Sequence, residues 1–248
     1  MSVPWWLFTM VPASYWQRVS DQVFAPSERA AARVLAQEHP LKAVLNQGDL
    51  ENAAAVTPVT IIEIWRLLTA ARPRAILELG CGVSTVIFSY YASECARAGG
   101  PAPTVHSIEH SPEWIGIVAQ RLAALGLSSH VTMIEAPLKK VHVAGIDTEC
   151  YDPAALAGRV ADASVDFCLI DGPPAIQDPL SRVGCLPLVA PCLTGGATVL
   201  LDNTARDGER QAIAAWRRMY PSQLEHVSGA FTSSGFASFV WDGHRASN

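Results

Sequence analysis

Short apolar runs, polar only near their final residues, recur along this chain from residue 75 onward. Ala75-Ile-Leu-Glu-Leu79, Phe167-Cys-Leu-Ile-Asp171 and Ala197-Thr-Val-Leu-Leu-Asp202 lack the period-two alternation of a half-solvated strand. They suit strands buried on both faces of a parallel sheet. The pattern predicts strands over 75–79, 104–109, 130–135, 165–170 and 197–202. Helices are predicted over 84–97, 112–125 and 206–219, with a helical segment over 176–193, while 137–162 reads as a looser connection. Two closing strands, 223–228 and 236–241, have no helix between them and predict an antiparallel hairpin. Upstream, helices are predicted over 13–24, 26–38 and 57–71. Pro26 and Pro58 fall in first turns, where a missing N–H does no harm, and Pro73 ends the last of the three. Alternating strands and helices with short links predict an α/β fold: a doubly wound, mostly parallel seven-stranded sheet covered on both faces. The predicted division is an N-terminal helical extension over 1–56, acting as a lid or oligomer contact, and one domain over 57–248.

Composition narrows the class. Half of the 248 residues are hydrophobic and 17% are charged, enough for a sizeable core. A net charge of −5 with only three lysines, Lys42, Lys139 and Lys140, argues against a nucleic-acid partner, which needs a basic footprint. Six cysteines show no Cys-x-x-Cys pair and no zinc spacing, so a reducing, cytoplasmic location is expected. The apolar start Val3-Pro-Trp-Trp-Leu-Phe8 lacks a basic leader and is too short to span a bilayer, so no membrane association is expected.

The chemistry begins at Glu78-Leu-Gly80-Cys-Gly82-Val-Ser84-Thr85, where a strand passes through two glycines into a helix. Glycine lets a backbone run close under a bulky ligand, and the helix N-terminus offers unpaired N–H groups. Such turns bind nucleotide-like cofactors in doubly wound sheets. A dinucleotide fingerprint needs a third glycine where Thr85 stands, so an NAD(P)-dependent oxidoreductase is the weaker reading. The segment resembles the first motif of class I S-adenosylmethionine-dependent methyltransferases, Glu-x-Gly-x-Gly-x-Ser/Thr. That resemblance implies a Rossmann-like domain in which Glu78, Gly80, Gly82, Ser84 and Thr85 seat the methionine end of the cofactor.

Further polar residues stand at the other strand ends. Glu109, some two dozen residues beyond the glycine turn, suits the acid that accepts the ribose hydroxyls, with His110 beside it. The resemblance implies that Glu135 and Ala136, after the third strand, recognise adenine; a plain surface turn is the alternative there. Asp171, in the stiff turn Asp171-Gly-Pro-Pro174, suits a general base, an anchor for the cationic end of the cofactor, or a metal ligand.

Asp202 and Asn203 join Asp171 in a three-oxygen set, which resembles the magnesium-dependent catechol and caffeoyl-coenzyme A O-methyltransferases. Those enzymes place a basic lysine three residues after the first aspartate, where this chain has Pro174. A broader resemblance runs to small bacterial class I methyltransferases of mostly unassigned substrate. Glu135-Ala-Pro-Leu138, Tyr151-Asp152, Ile170-Asp-Gly-Pro-Pro174, Leu200-Leu-Asp202 and Arg206…Glu209…Trp216 carry it. His142, in the 137–162 connection, is a second candidate base because a histidine titrates near working pH. Trp5, Trp6, Tyr15 and Trp16 form an aromatic set suited to a lid, a homodimer face or a core patch. The expected activity is methylation of a small molecule, foremost at a hydroxyl oxygen; Mg²⁺ assistance is one alternative, and nitrogen or carbon acceptors stay open.

Overall fold

The computed structural model of the chain describes residues 24–51, 56–162, 164–176, 178–230 and 233–243. The predicted helix over 13–24 and the N-terminal aromatic set therefore lie outside the described residues, Phe24 apart. From the N-terminus come α1 (Ala25–Gln37), α2 (Gln47–Glu51) and α3 (Pro58–Ala71). Thr57 caps α3, its hydroxyl accepting from the Thr60 N–H at 3.3 Å, and Arg72 closes it in a left-handed conformation. Then β1 (Ala75–Leu79), α4 (Val83–Arg97), β2 (Thr104–Glu109), α5 (Pro112–Ala124) and β3 (Thr132–Glu135) follow in strict alternation.

The connection 137–162 holds two strands that the sequence reading missed, β4 (Leu138–Val143) and β5 (Ile146–Tyr151). They pair antiparallel as a separate two-stranded sheet. Ala144 and Gly145 turn it with φ of 54° and 80°, the geometry of a two-residue hairpin turn. Next come β6 (Val165–Ile170) and the short helix α6 (Cys185–Val189). The helical segment expected over 176–193 thus shrinks to α6 between 3₁₀ turns at 181–184 and 190–192. Prolines at 179, 187 and 191 explain this, because each removes a helix donor. The chain ends with β7 (Leu193–Asp202), α7 (Asp207–Met219), β8 (Leu224–Ala230) and β9 (Phe236–Trp241).

Seven strands form the main sheet in the order β3-β2-β1-β6-β7-β9-β8. The first five run parallel, and β9 pairs antiparallel with both β7 and β8. This is the doubly wound α/β architecture expected. Successive strand residues face opposite sides. Leu77, Leu79, Cys168, Ile170, Val199 and Leu201 pack on one face with Leu186 and Trp216. Ile76, Phe167, Leu169 and Leu200 pack on the other with Leu68, Phe88 and Leu122. Register brings the carboxyl ends level: Leu79 lies beside Ile108 and Ile170, and Ile170 beside Leu201. The strand order reverses between β1 and β6, so a crevice opens there.

The described N-terminal elements are bolted to that end. Glu28 on α1 accepts from the Val59 N–H at 3.0 Å and from the N–H and hydroxyl of Ser233. Asp49 on α2 pairs with Arg121 on α5, and Arg121 also donates to the Val44 carbonyl at 3.0 Å.

Candidate functional site

A cavity of about 840 Å³ opens at the carboxyl ends of β1, β2, β6 and β7. Its floor is the glycine turn. Gly80 has φ +93°, and a Cβ there would meet the Gly172 nitrogen at 2.7 Å. A Cβ on Gly172 would in turn meet Gly80 Cα at 2.8 Å and the Tyr151 hydroxyl at 2.1 Å. These two glycines let the β1 and β6 turns touch, and the Leu79 carbonyl accepts from the N–H groups of Asp171 (2.9 Å) and Gly172 (2.7 Å). Gly82 differs. Its extended backbone admits any residue, and a Cβ there would meet nothing within 4 Å. Gly82 lines the cavity, so the space over it is open to a ligand.

Beneath the turn lies a buried polar relay. The Gly82 N–H donates to the Thr85 hydroxyl at 2.8 Å, which donates to Glu78 Oε2 at 2.6 Å. The Ser107 hydroxyl donates to the same carboxylate oxygen at 2.6 Å. Glu78 is fully buried, and burial pushes its carboxyl up to about 7, against the hydroxyl donors and with the charge of Asp171. Neither Glu78 nor Thr85 lines the cavity; of the predicted set, Gly80, Gly82 and Ser84 do. The acid and the threonine hold the turn's shape from behind.

Glu109 closes the adjacent wall. Its Oε1 accepts from the N–H groups of His110 (2.7 Å) and Ser111 (2.9 Å), and its Oε2 from the Cys81 N–H at 3.3 Å. His110 Nδ1 stands 2.5 Å from the same carboxylate and also lines the cavity. Trp114, which the sequence reading did not single out, donates its indole N–H to the Cys81 carbonyl at 2.7 Å. Trp114, Ile117, Val118 and Arg121 recur at helical spacing, so one face of α5 forms a cavity wall. Asp49 and Val56 face it from the N-terminal part of the chain.

Glu135 and Ala136 are not part of this wall. Glu135 is exposed at the end of β3, and the Ala136 N–H already donates to the Glu109 carbonyl at 2.8 Å. His142 is also elsewhere: it sits near the tip of the β4–β5 hairpin, exposed, with Nδ1 2.7 Å from Asp147. The surface contact with Asp147 absorbs its ring, and it lines no part of the cavity.

On the remaining wall Asp171 meets Arg182, a residue the sequence reading missed. The guanidinium is buried and reaches the Asp171 carboxylate at 3.2 Å and the Asp171 carbonyl. It also donates to the carbonyls of Asp202 (2.9 Å) and Pro173 (3.4 Å) and lies 3.4 Å from Glu209. Burial works against the Arg182 cation, but the acids around it, Asp171 first, raise its pKa overall. Burial raises the Asp171 carboxyl too, with Arg182 and Arg206 pulling the other way.

The expected magnesium site at Asp171, Asp202 and Asn203 does not fit this arrangement. Arg182 already supplies the cation that neutralises the cluster. Asp202 is buried away from the cavity, its carboxylate held by the Asn203 amide and, at 3.4 Å, the Ser234 hydroxyl. Among the described residues no cluster of three or more His, Cys, Asp or Glu side chains is arranged to hold a metal ion. Hard divalent ions bind through several converging oxygens, and here only one of the two carboxylates, Asp171, faces the cavity, with one of its oxygens on the Arg182 guanidinium.

The site therefore combines a ligand-facing glycine turn, a strand-end acid beside it and a half-buried carboxylate opposite. Residues 77–204, just over half of the chain, match the family described as methyltransferase domain. The chain belongs to that family. It is a class I S-adenosylmethionine-dependent methyltransferase, and the oxidoreductase alternative falls. Thr85, where a dinucleotide fold needs glycine, is spent on the relay behind the turn.

Solved structures agree on the fold of this methyltransferase. A protein from Klebsiella pneumoniae assigned as an O-methyltransferase is 17% identical, with a TM-score of 0.64 over 90% of this chain and 99% of its own. An O-methyltransferase from Bacillus cereus, solved in complex with S-adenosylhomocysteine, is 16% identical, with a TM-score of 0.56 over 93% of this chain and 100% of its own. An O-methyltransferase of tomaymycin synthesis from Streptomyces achromogenes, solved with S-adenosylmethionine, is 17% identical, with a TM-score of 0.53 over 94% and 100%. No curated protein matches the chain by sequence. No helix among the described residues of the methyltransferase is long and apolar enough to cross a membrane.

Proposed function

We propose that this methyltransferase methylates a hydroxyl oxygen of a small molecule without a metal, with Asp171 as the base. The observation that carries the reading is the Asp171 carboxylate at the cavity wall, with one oxygen 3.2 Å from Arg182 and the other left for a ligand. Solved relatives described as O-methyltransferases support an oxygen acceptor. A cavity of about 840 Å³ falls within the roughly 300–1,000 Å³ typical of small-molecule sites.

The residues present fit the sulfonium cofactor. Gly82 leaves open space above the turn, and the Glu109 carboxylate lines the cavity beside it, where it accepts a ribose hydroxyl. Bound there, S-adenosylmethionine supplies a methyl carbon already activated by its sulfonium. The protein's own work is alignment, desolvation and proton handling. Asp171 accepts the proton of the acceptor hydroxyl on the oxygen that Arg182 does not hold. Trp114 and the α5 face keep water from the methyl group. The described part of the 1–56 segment completes the enclosure through Asp49 and Val56.

The test is calorimetry followed by turnover. S-adenosylhomocysteine is expected to bind and NAD⁺ not to bind. Methyl transfer to a panel of hydroxylated acceptors should proceed and fall by orders of magnitude in Asp171→Asn, with S-adenosylhomocysteine affinity kept. Transfer only to amine acceptors, or full turnover in Asp171→Asn, would overturn the assignment.

A further inference from the structure

The cavity walls carry three carboxylates, Asp49, Glu109 and Asp171, and three guanidinium groups, Arg121, Arg182 and Arg206. Most of these charges are spent inside the protein. Arg121 is closed onto Asp49 and the Val44 carbonyl. Glu109 receives the N–H groups of Cys81, His110 and Ser111. Arg182 is divided among Asp171, Glu209 and two further backbone carbonyls.

Arg206 stands apart. Among the described residues its ion pair is with Glu209 at 3.6 Å, a carboxylate that Arg182 also reaches at 3.4 Å, and its charge acts on Asp171 and Asp202 as well. The Arg206 side chain is 53% exposed, yet it lines the cavity. It sits on the turn that follows Asn203, and the backbone there is braced: the Ala205 N–H donates to the Ser234 carbonyl at 2.9 Å and the Arg206 N–H to the Asn203 carbonyl at 2.9 Å. This turn follows β7, two strands away from the glycine turn after β1 and on the far side of Asp171. A cation there faces the acceptor's half of the cavity.

The same mouth is apolar elsewhere. Trp114, Ile117 and Ile176 are exposed at 42%, 49% and 89%, and all three line the cavity. Exposed hydrophobes gathered at one opening mark a ligand surface. The mouth thus offers an apolar collar with one half-exposed guanidinium.

We propose that the acceptor is an apolar or aromatic hydroxy-compound bearing an anionic group, which Arg206 binds while Asp171 meets the hydroxyl. This rests on the O-methylation reading above. A guanidinium recognises carboxylate and phosphate through the same forked donors, so the shared chemistry is an oxyanion.

The test uses the intact protein in two stages. Calorimetry with S-adenosylhomocysteine is expected to give equal affinity for wild type and Arg206→Ala. Methyl transfer is then measured on matched phenols that differ only in carrying a carboxylate, a phosphate or a neutral carboxamide. The wild type should prefer one anionic member over the carboxamide by about tenfold or more in kcat/KM, the scale of a charge-assisted hydrogen bond. Arg206→Ala should erase that preference, and Arg206→Lys should restore part of it. The better of the carboxylate and phosphate arms identifies the anion. Equal use of the carboxamide, a preference that survives Arg206→Ala, or lost S-adenosylhomocysteine affinity in Arg206→Ala would each overturn the proposal. The last outcome would move Arg206 to the cofactor. Turnover of neutral phenols alone would sink the anionic acceptor while leaving the O-methylation reading intact.

Discussion

Arg182 and Asp171 are joined twice, the guanidinium reaching the Asp171 carboxylate at 3.2 Å and the carbonyl of the same residue. The arginine comes from a 3₁₀ turn eleven residues downstream, and one side chain ties the β6 turn, the end of β7 and the start of α7 together. Removing one partner of a buried charge set leaves the others uncompensated, at a cost of about 3–5 kcal/mol. Arg182→Ala is therefore expected to lower unfolding stability by that order in urea titrations. Arg182→Lys keeps the charge but not the fork, so it should recover part of the stability and shift the pH dependence of turnover. Stability unchanged in Arg182→Ala would show that the cluster is not held by this residue.

Gly82 and Gly172 make a contrasting pair. A Cβ on Gly82 meets nothing within 4 Å, and the extended backbone there suits any residue. Gly82→Ala should fold with near wild-type stability yet lose S-adenosylhomocysteine affinity, because the methyl group enters ligand space. Gly172→Ala should do the reverse and destabilise the fold, since its Cβ falls 2.1 Å from the Tyr151 hydroxyl and 2.8 Å from Gly80 Cα. Adding Tyr151→Phe should relieve part of that loss, a coupling that a double-mutant cycle measures. Equal stability losses in the two glycine variants would refute the division of labour.

The glycine turn and the sheet were legible because apolar strand runs and glycine pairs are local signals. Their orientation was not. Glu78 and Thr85 fit the motif by spacing, but only the fold shows them facing Ser107 behind the turn instead of the cavity. Arg182 left no local trace, because its partners Asp171, Asp202 and Glu209 come from three elements far apart in sequence. The β4–β5 hairpin escaped because its turn is Ala144-Gly145 and not an Asn-Gly or Asp-Gly pair. With that hairpin unseen, His142 read as an overhanging loop residue when it is a strand residue paired to Asp147.

Glu109 is expected to accept a ribose hydroxyl while it braces three backbone N–H groups. Glu109→Gln should weaken S-adenosylhomocysteine binding by about 1–3 kcal/mol, the usual cost of leaving such partners unmet. His142→Ala should leave affinity and turnover at wild-type values, because its ring is spent on Asp147 at the exposed hairpin tip. Calorimetry on the two variants side by side checks both expectations.

Treatment with a chelator should leave turnover unchanged, and added Mg²⁺ should not raise it. The reason is that Arg182 holds one Asp171 oxygen and Asp202 is buried behind Asn203, so the two carboxylates do not converge on the cavity. Activity abolished by EDTA and restored by Mg²⁺ would show that the guanidinium yields its place to a metal during turnover.

Asp202 carries a pH signature. Burial, then the charge of Asp171, pushes its carboxyl from the ordinary range up to about 8, with Arg182 and Arg206 opposing. The folded protein thus holds a proton that the unfolded chain releases near pH 4. Between those values the native state binds more protons than the unfolded state, so stability falls as pH rises. The contribution is complete below about pH 4 and gone above about pH 8. Asp202→Asn mimics the protonated form and should flatten that decline. The denaturation midpoint of the variant should match or trail the wild type at pH 5 and exceed it at pH 9. Parallel pH profiles for the two proteins would mean that Asp202 is ionised in the folded state and that Arg182 neutralises it fully.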